Sequence, residues 1–152
     1  MLNPQQLSTL LAAMDRVIPS DEFPSASQAG GMTFIDRLFR TDLAHRTPEL
    51  AALLDQIDAA AKSQHDRSFA DLAEAQQDAA LTAVEDSPSR KAFAWLVDII
   101  NEGYYADPAN GGNADAVSWK MIGYAPRVPG YDGSQQVLGD TAHPRSLGES
   151  AR

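Results

Sequence analysis

The chain contains no cysteine. Disulfides, zinc–thiolate centres, iron–sulfur clusters and cysteine nucleophiles are excluded together, while compartment stays open. Histidine is scarce as well: His45, His65 and His143 lie far apart with no ligand-like spacing, so no histidine metal motif is legible. No apolar run approaches the roughly 18 to 20 residues that a membrane span needs. The opening MLNPQQLSTLLAAMDRVIPSDEF lacks the basic start, the twin arginine and the solid apolar block of an export signal. Basic residues are outnumbered, 12 against 21 acidic ones, for a net charge of -9 and a pI near 4.6. Such a chain is repelled by phosphate backbones and by anionic membrane surfaces, so nucleic acid is not an expected partner.

What is present is a length of 152 residues, 43% of them hydrophobic, enough for one domain with a buried core. The first 100 residues read as amphipathic helices separated by clear stops. Leu7, Leu10, Leu11, Met14, Val17 and Ile18 recur at helical spacing, and Pro19 ends that helix. Ser25 or Ser27 is placed to cap the next one, which carries Met32, Phe34, Ile35, Leu38, Phe39 and Leu43. Thr47, Pro48 and Glu49 read as a cap, a first-turn proline and a dipole-matched acid, opening a helix that buries Leu50, Leu53, Leu54 and Ile57. Phe69 and Leu72 anchor a short turn, and Leu81 and Val84 face inward from a further helix. Ser87 and Pro88 repeat the start signal. The helix that follows carries Phe93, Trp95, Leu96, Val97, Ile99 and Ile100 and leads to Tyr104 and Tyr105; as the most apolar helix, it is expected at the centre.

No sustained two-residue alternation appears before residue 125, so no strand is expected there. The fold class is all-α: an irregular bundle of about five or six helices over residues 1–124, with an extended C-terminal tail over residues 125–152. That tail has three prolines and four glycines with few apolar residues and cannot build a core of its own. It is expected to lie across a partner.

The stretch GYYADPANGGN, followed by WKMIGY, is the least generic part of the chain. Asp107, Asn110, Asn113 and Asp115 offer oxygen ligands in a short loop, but their spacing departs from the alternating pattern of an EF-hand and no glutamate closes it. Turn capping by Asx side chains and positive φ at glycine account for the same residues. The glycines do not sit between a strand and a helix, so they are no dinucleotide fingerprint. No histidine stands beside a serine or threonine in a way that marks a nucleophile. Tyr104, Tyr105, Trp119 and Tyr124 remain. Core packing accounts for Trp119 and at least one tyrosine, an aromatic anchor at a protein interface accounts for the same cluster, and the two readings are compatible because different members can do each job.

These residues also carry a resemblance. Asp15, Arg16, Ile18 and Pro19, followed by Ala26, Ala29 and Gly30, are similar to the opening of the gluconate 2-dehydrogenase subunit 3 family. Phe69, Leu72, Gln76 and Gln77 are similar to its middle. Gly103, Tyr104, Tyr105, Asp107, Pro108, Gly111, Gly112, Asn113, Trp119, Ile122, Gly123 and Tyr124 are similar to its ending. The resemblance spans about residues 5 to 125. It implies a non-catalytic small subunit that stabilises or escorts the FAD-dependent catalytic subunit of a sugar or glycoside dehydrogenase complex. No cofactor is expected in this chain. FAD would lie in the partner, a large GMC-type subunit, and a cytochrome or other electron acceptor would be met through that subunit.

A free-standing helical chaperone or binding module that meets a redox enzyme only transiently is the alternative. The expected partner contacts are Tyr104, Tyr105, Asp107, Pro108, Asn110, Asn113, Trp119, Tyr124, Pro126, Pro129 and Tyr131. Many members of the family carry a twin-arginine export signal, and none is seen here. The chain as written is expected in the cytoplasm, or in the periplasm if its partner carries the signal or the sequence is a trimmed mature form.

Overall fold

A computed structural model describes residues 2–124. The tail, with the expected contacts Pro126, Pro129 and Tyr131, lies outside the described residues. Six α-helices follow one another: α1 (Pro4–Val17), α2 (Gly31–Arg40), α3 (Thr47–His65), α4 (Glu74–Glu85), α5 (Arg90–Tyr105) and α6 (Val117–Met121). Short 3-10 turns connect several of them, and no strand occurs among the described residues. The all-α bundle expected from periodicity is the fold observed.

Each helix begins for a local reason. In α1 the Asn3 side chain accepts from the Gln6 amide while the Gln6 side chain accepts from the Asn3 amide, both at 2.9 Å. This reciprocal box satisfies two donors that a helix start leaves free. Thr47 was expected to cap α3, but it is that helix's first residue, and its hydroxyl donates backwards to the Ala44 carbonyl. Ser25 and Ser27 do not cap α2 either; α2 starts from Gly30, in the left-handed region at φ 84°, with no side-chain cap. Ser87 and Pro88 form a turn, and α5 starts later, at Arg90. In all three places the chain makes an extra turn before the helix, which capping residues alone do not signal.

The inward stripe of α1 is Gln6, Thr9, Leu10, Ala13 and Met14. Leu7 and Leu11, expected inside, are 37% and 40% exposed. Small residues at Thr9 and Ala13 let neighbouring helices approach closely, and the helix is turned to use them. The other inward faces follow the sequence: Leu50, Leu53, Leu54, Ile57 and Ala61 in α3, Leu81 and Val84 in α4, and Phe93, Leu96, Ile99, Ile100 and Tyr104 in α5. α5 packs against all five other helices, so it is the centre that its apolar sequence indicates.

The break between α3 and α4 is held by a buried polar cluster. Asp58, 6% exposed, accepts from the Phe69 amide at 2.9 Å and from Gln5 at 3.2 Å, and pairs with Lys62 at 2.6 Å. Gln77 donates to the Phe69 carbonyl at 3.1 Å, and Gln76 accepts from the Ala73 amide. Fully buried Phe69 thus has both backbone groups satisfied by side chains of two helices. Burial alone would raise the Asp58 carboxyl, but Lys62, the Phe69 amide and Gln5 outweigh it and hold it below its ordinary value.

The sign follows from linkage. A carboxyl depressed in the folded state contributes stability that is present above its unfolded value, about 3.9, and lost as pH falls through the folded value. Asp58→Ala leaves the Phe69 amide buried without an acceptor and is expected to cost about 1–3 kcal/mol near neutral pH. The stability gap between wild type and Asp58→Asn, read by urea unfolding, is expected to narrow as pH falls below about 4. A gap that is constant with pH would contradict the role of the charge.

Candidate partner-binding site

Two segments far apart in sequence form one body. The first is the turn after α1. Asp15 receives the Ser27 amide at 3.0 Å and the Ser27 hydroxyl at 2.8 Å, and the Ala26 amide donates to the Ile18 carbonyl. Beside it Arg16 reaches across to α4, pairing with Glu74 and Asp78, each at 2.8 Å. The second is the loop after α5. Asp107 accepts from the Ala109 amide at 2.9 Å and opens the short turn Pro108–Asn110. The chain then doubles back so closely that a Cβ on Gly112 would collide with the carbonyl of Gly103.

Three bonds tie these segments and the helices beside them together. The Ala114 amide donates to the Ala29 carbonyl at 2.8 Å. Arg37 donates to the Ala109 carbonyl at 3.1 Å. The Tyr104 hydroxyl donates to the Pro24 carbonyl at 2.9 Å, across 80 residues of sequence. Burial pushes the Tyr104 phenol above its ordinary value, and Tyr105 and Asp21 add to the shift, so the hydroxyl stays protonated and available as a donor.

Asn113 is the hub of the loop. It is fully buried and left-handed at φ 49°. Its amide nitrogen donates to the Ala106 carbonyl at 2.9 Å, and its oxygen accepts from the Ser118 amide at 2.8 Å. One side chain therefore ties the end of α5 to the start of α6. Asp115 and Ala116 are also left-handed, at φ 56° and 54°. Asparagine and aspartate tolerate this region better than alanine, which carries a cost of about 1–2 kcal/mol. The surrounding bonds hold that strain in place.

The outer face is apolar. Tyr105, Ile122 and Tyr124 are 45%, 60% and 54% exposed. Half-buried Trp119 links the two tyrosines. Its indole N–H donates to the Tyr105 carbonyl at 3.2 Å, and its ring meets Tyr124 edge-on at 5.2 Å between centroids. The Tyr124 amide returns to the Trp119 carbonyl at 2.7 Å. Flat, few-jointed aromatic side chains held this way lose little entropy on contact, the property that favours Tyr and Trp at interfaces.

The structure sorts the residues expected at a partner surface. Tyr105, Trp119 and Tyr124 come together on one face, and Asp107, Pro108 and Asn110 form the adjoining turn. Tyr104 and Asn113 were expected as contacts but are 2% and 0% exposed; they support the surface from inside, because the loop's backbone needs their polar groups. Ile122, absent from that expectation, is the most exposed large apolar residue among the described residues. Its signal was an isoleucine placed just past a short helix.

Three of the four loop residues considered for calcium are otherwise engaged: Asp107 and Asn113 serve the backbone, and the Arg37 guanidinium lies beside Asn110. Among the described residues no three of His, Asp and Glu converge as a metal would require, and no helix is long and apolar enough to cross a membrane. A separate apolar groove of about 340 Å3, lined by Leu7, Leu10, Met32, Ile35 and Phe39, lies between α1 and α2. Of its two charged residues, Asp36 and Arg40 pair with each other at 2.6 Å.

Asn113→Ala removes both buried bonds and is expected to cost about 1–3 kcal/mol, with a red-shifted Trp119 emission as the loop loosens. Ala116→Gly relieves a left-handed alanine and is expected to stabilise by about 1 kcal/mol in urea unfolding. Destabilisation by that glycine would contradict the strained geometry.

The family described as gluconate 2-dehydrogenase subunit 3 matches the chain over residues 4–126. No curated protein and no solved structure matches it. The matched span takes in all six helices, the turn after α1 and the loop that packs on it. The chain therefore belongs to the gluconate 2-dehydrogenase subunit 3 family.

Proposed function

We propose that this chain is a non-catalytic small subunit that stabilises or escorts the FAD-dependent catalytic subunit of a sugar or glycoside dehydrogenase complex. Membership of a family described as a dehydrogenase subunit is the coarser fact; the surface geometry supports the finer reading. The observation that carries it is the exposure of Tyr105 at the end of α5 and of Ile122 and Tyr124 just past α6, at the two ends of a loop fixed by Asn113 and Trp119. A lone soluble domain gains nothing by displaying such a group, whereas a subunit buries it. FAD and the sugar site belong to the large GMC-type subunit in this proposal, and a cytochrome or other acceptor is reached through it. The tail from residue 126 onward adds a second contact across the same partner.

Co-expression with an FAD-binding subunit of this class is the test. The two chains are expected to co-elute in gel filtration, and the large subunit alone is expected to be poorly soluble or poorly flavinylated. Ile122→Asp with Tyr124→Asp should abolish co-elution while leaving the helical circular dichroism unchanged. Deleting residues 126–152 should weaken the complex without unfolding the bundle. A large subunit that is soluble, flavin-loaded and fully active alone would sink the stabilising role. Rescue without co-elution would mean a transient escort in place of a lasting subunit.

A further inference from the structure

We propose that the neutral, apolar face formed by α1 and α2 is a two-fold interface between two copies of this chain. Large apolar side chains left exposed among the described residues fall in two places. Tyr105, Ile122 and Tyr124 lie at the ends of the loop after α5, and the proposed function uses them. Leu7 and Leu11, 37% and 40% exposed on α1, have no part in it. They are four apart and so neighbours on one side of the helix. Leu7 also lines the groove between α1 and α2, together with Leu10, Met32, Ile35 and Phe39. A ridge of exposed leucine thus stands beside an apolar hollow.

Charge sets this face apart. Across the chain 22% of residues are charged, yet residues 1–14 and 23–35 hold no Asp, Glu, Lys or Arg, and they are the two longest such stretches. They supply α1 as far as Met14 and α2 as far as Ile35. The charges beside the groove are neutralised in pairs. Asp36 meets Arg40 at 2.6 Å, and Arg46 and Glu49, next in sequence to the lining residues Thr47 and Leu50, pair at 2.7 Å. Asp15, one turn past Leu11, accepts from the Ser27 amide and hydroxyl. Asp55 and Asp58 are bonded to Gln6 and Gln5, on the side of α1 that faces α3.

These features select the occupant. At a net charge of -9, two copies repel each other at long range, so an interface between them has to keep acidic side chains out. This face does so. It is also complementary to itself, because a two-fold axis sets the ridge of each copy into the hollow of the other, as in an isologous dimer. An anionic membrane would need a basic rim, and Arg40 is already paired. The loop after α5 stays free in such a dimer. Arg37, which holds that loop through the Ala109 carbonyl, is two residues from both Ile35 and Phe39, about 200° around α2. The dimer does not depend on the subunit role proposed above.

Sedimentation equilibrium on the full chain alone, over a range of protein concentrations and at two salt concentrations, is the test. A dimer with a dissociation constant of about 1–100 µM is expected of a small apolar contact. It should tighten about threefold or more between roughly 0.05 and 0.5 M salt, where the screening length falls to about 4 Å and the repulsion of the two acidic bodies fades. At the higher salt, Leu7→Asp with Leu11→Asp should weaken it about tenfold or more. Ile122→Asp with Tyr124→Asp adds the same charge elsewhere and should stay within about twofold of wild type. Leu7→Gln with Leu11→Gln adds no charge and should also weaken the dimer, with the helical circular dichroism of all three variants unchanged.

A chain that is monomeric at every concentration overturns the dimer. So does equal weakening by the leucine and loop variants, which would mean that total charge alone matters. Loss in the loop variant alone would put the interface there and overturn it too. A monomeric wild type that dimerises once residues 126–152 are deleted would give the groove to the chain's own tail. A monomeric wild type whose Leu7→Gln, Leu11→Gln variant no longer co-elutes with the large subunit would give it to that subunit. Both of these outcomes end the two-fold dimer and leave the subunit role standing.

Discussion

The presenting face depends on one close approach: the backbone after α5 lies against the end of its own helix where Gly112 has no side chain. With a Cβ at that position, the loop could not return to Gly103. The bond from Ala114 to Ala29 and the bonds of Asn113 could not form together. Gly30 makes the matching concession on the other segment, since its positive φ lets the chain enter α2 beneath the loop. Steric absence at two positions is what allows the polar contacts to exist.

Those polar contacts share a logic. Irregular backbone cannot satisfy its own donors and acceptors, so a buried side chain does it. Asp15 serves the turn at Ser27, Asp58 and Gln77 serve the break at Phe69, and Asn113 serves both ends of the last loop. Each bond contributes only about 1 kcal/mol net, but leaving its partner unpaired costs more. The three stretches in which the family resemblance was seen are the places where the bundle leaves regular helix. They define the surface more than the core does, and the core needs little beyond apolar residues at the right period.

The proposed function rests on what this scaffold leaves outside. The chain leaves Tyr105, Ile122 and Tyr124 exposed, at the two ends of a loop that holds left-handed residues at 115 and 116. Strain of this kind persists where geometry matters. A surface whose shape is fixed before contact gives up less entropy on binding.

The sequence by itself determined the helices, their inward faces from α3 onward, and α5 as the centre, because apolar periodicity is a local record of burial. It also marked the unusual loop, since tyrosine, proline, glycine and asparagine in that order have few uses in a plain bundle. Which tyrosine faces out was not legible: Tyr104 and Tyr105 are adjacent, and only the pitch of α5 against Pro24 separates them. The expected caps at Ser25, Ser27 and Thr47 failed because a short turn precedes each helix, and these side chains bond within or next to that turn: Ser25 with Gln28, Ser27 with Asp15, Thr47 with Ala44. The inward turn of Asn113 and the meeting of residues 24–31 with residues 106–116 were decided by tertiary structure alone. Hydrogen bonds and clashes between segments about 80 residues apart leave no periodic trace in either one.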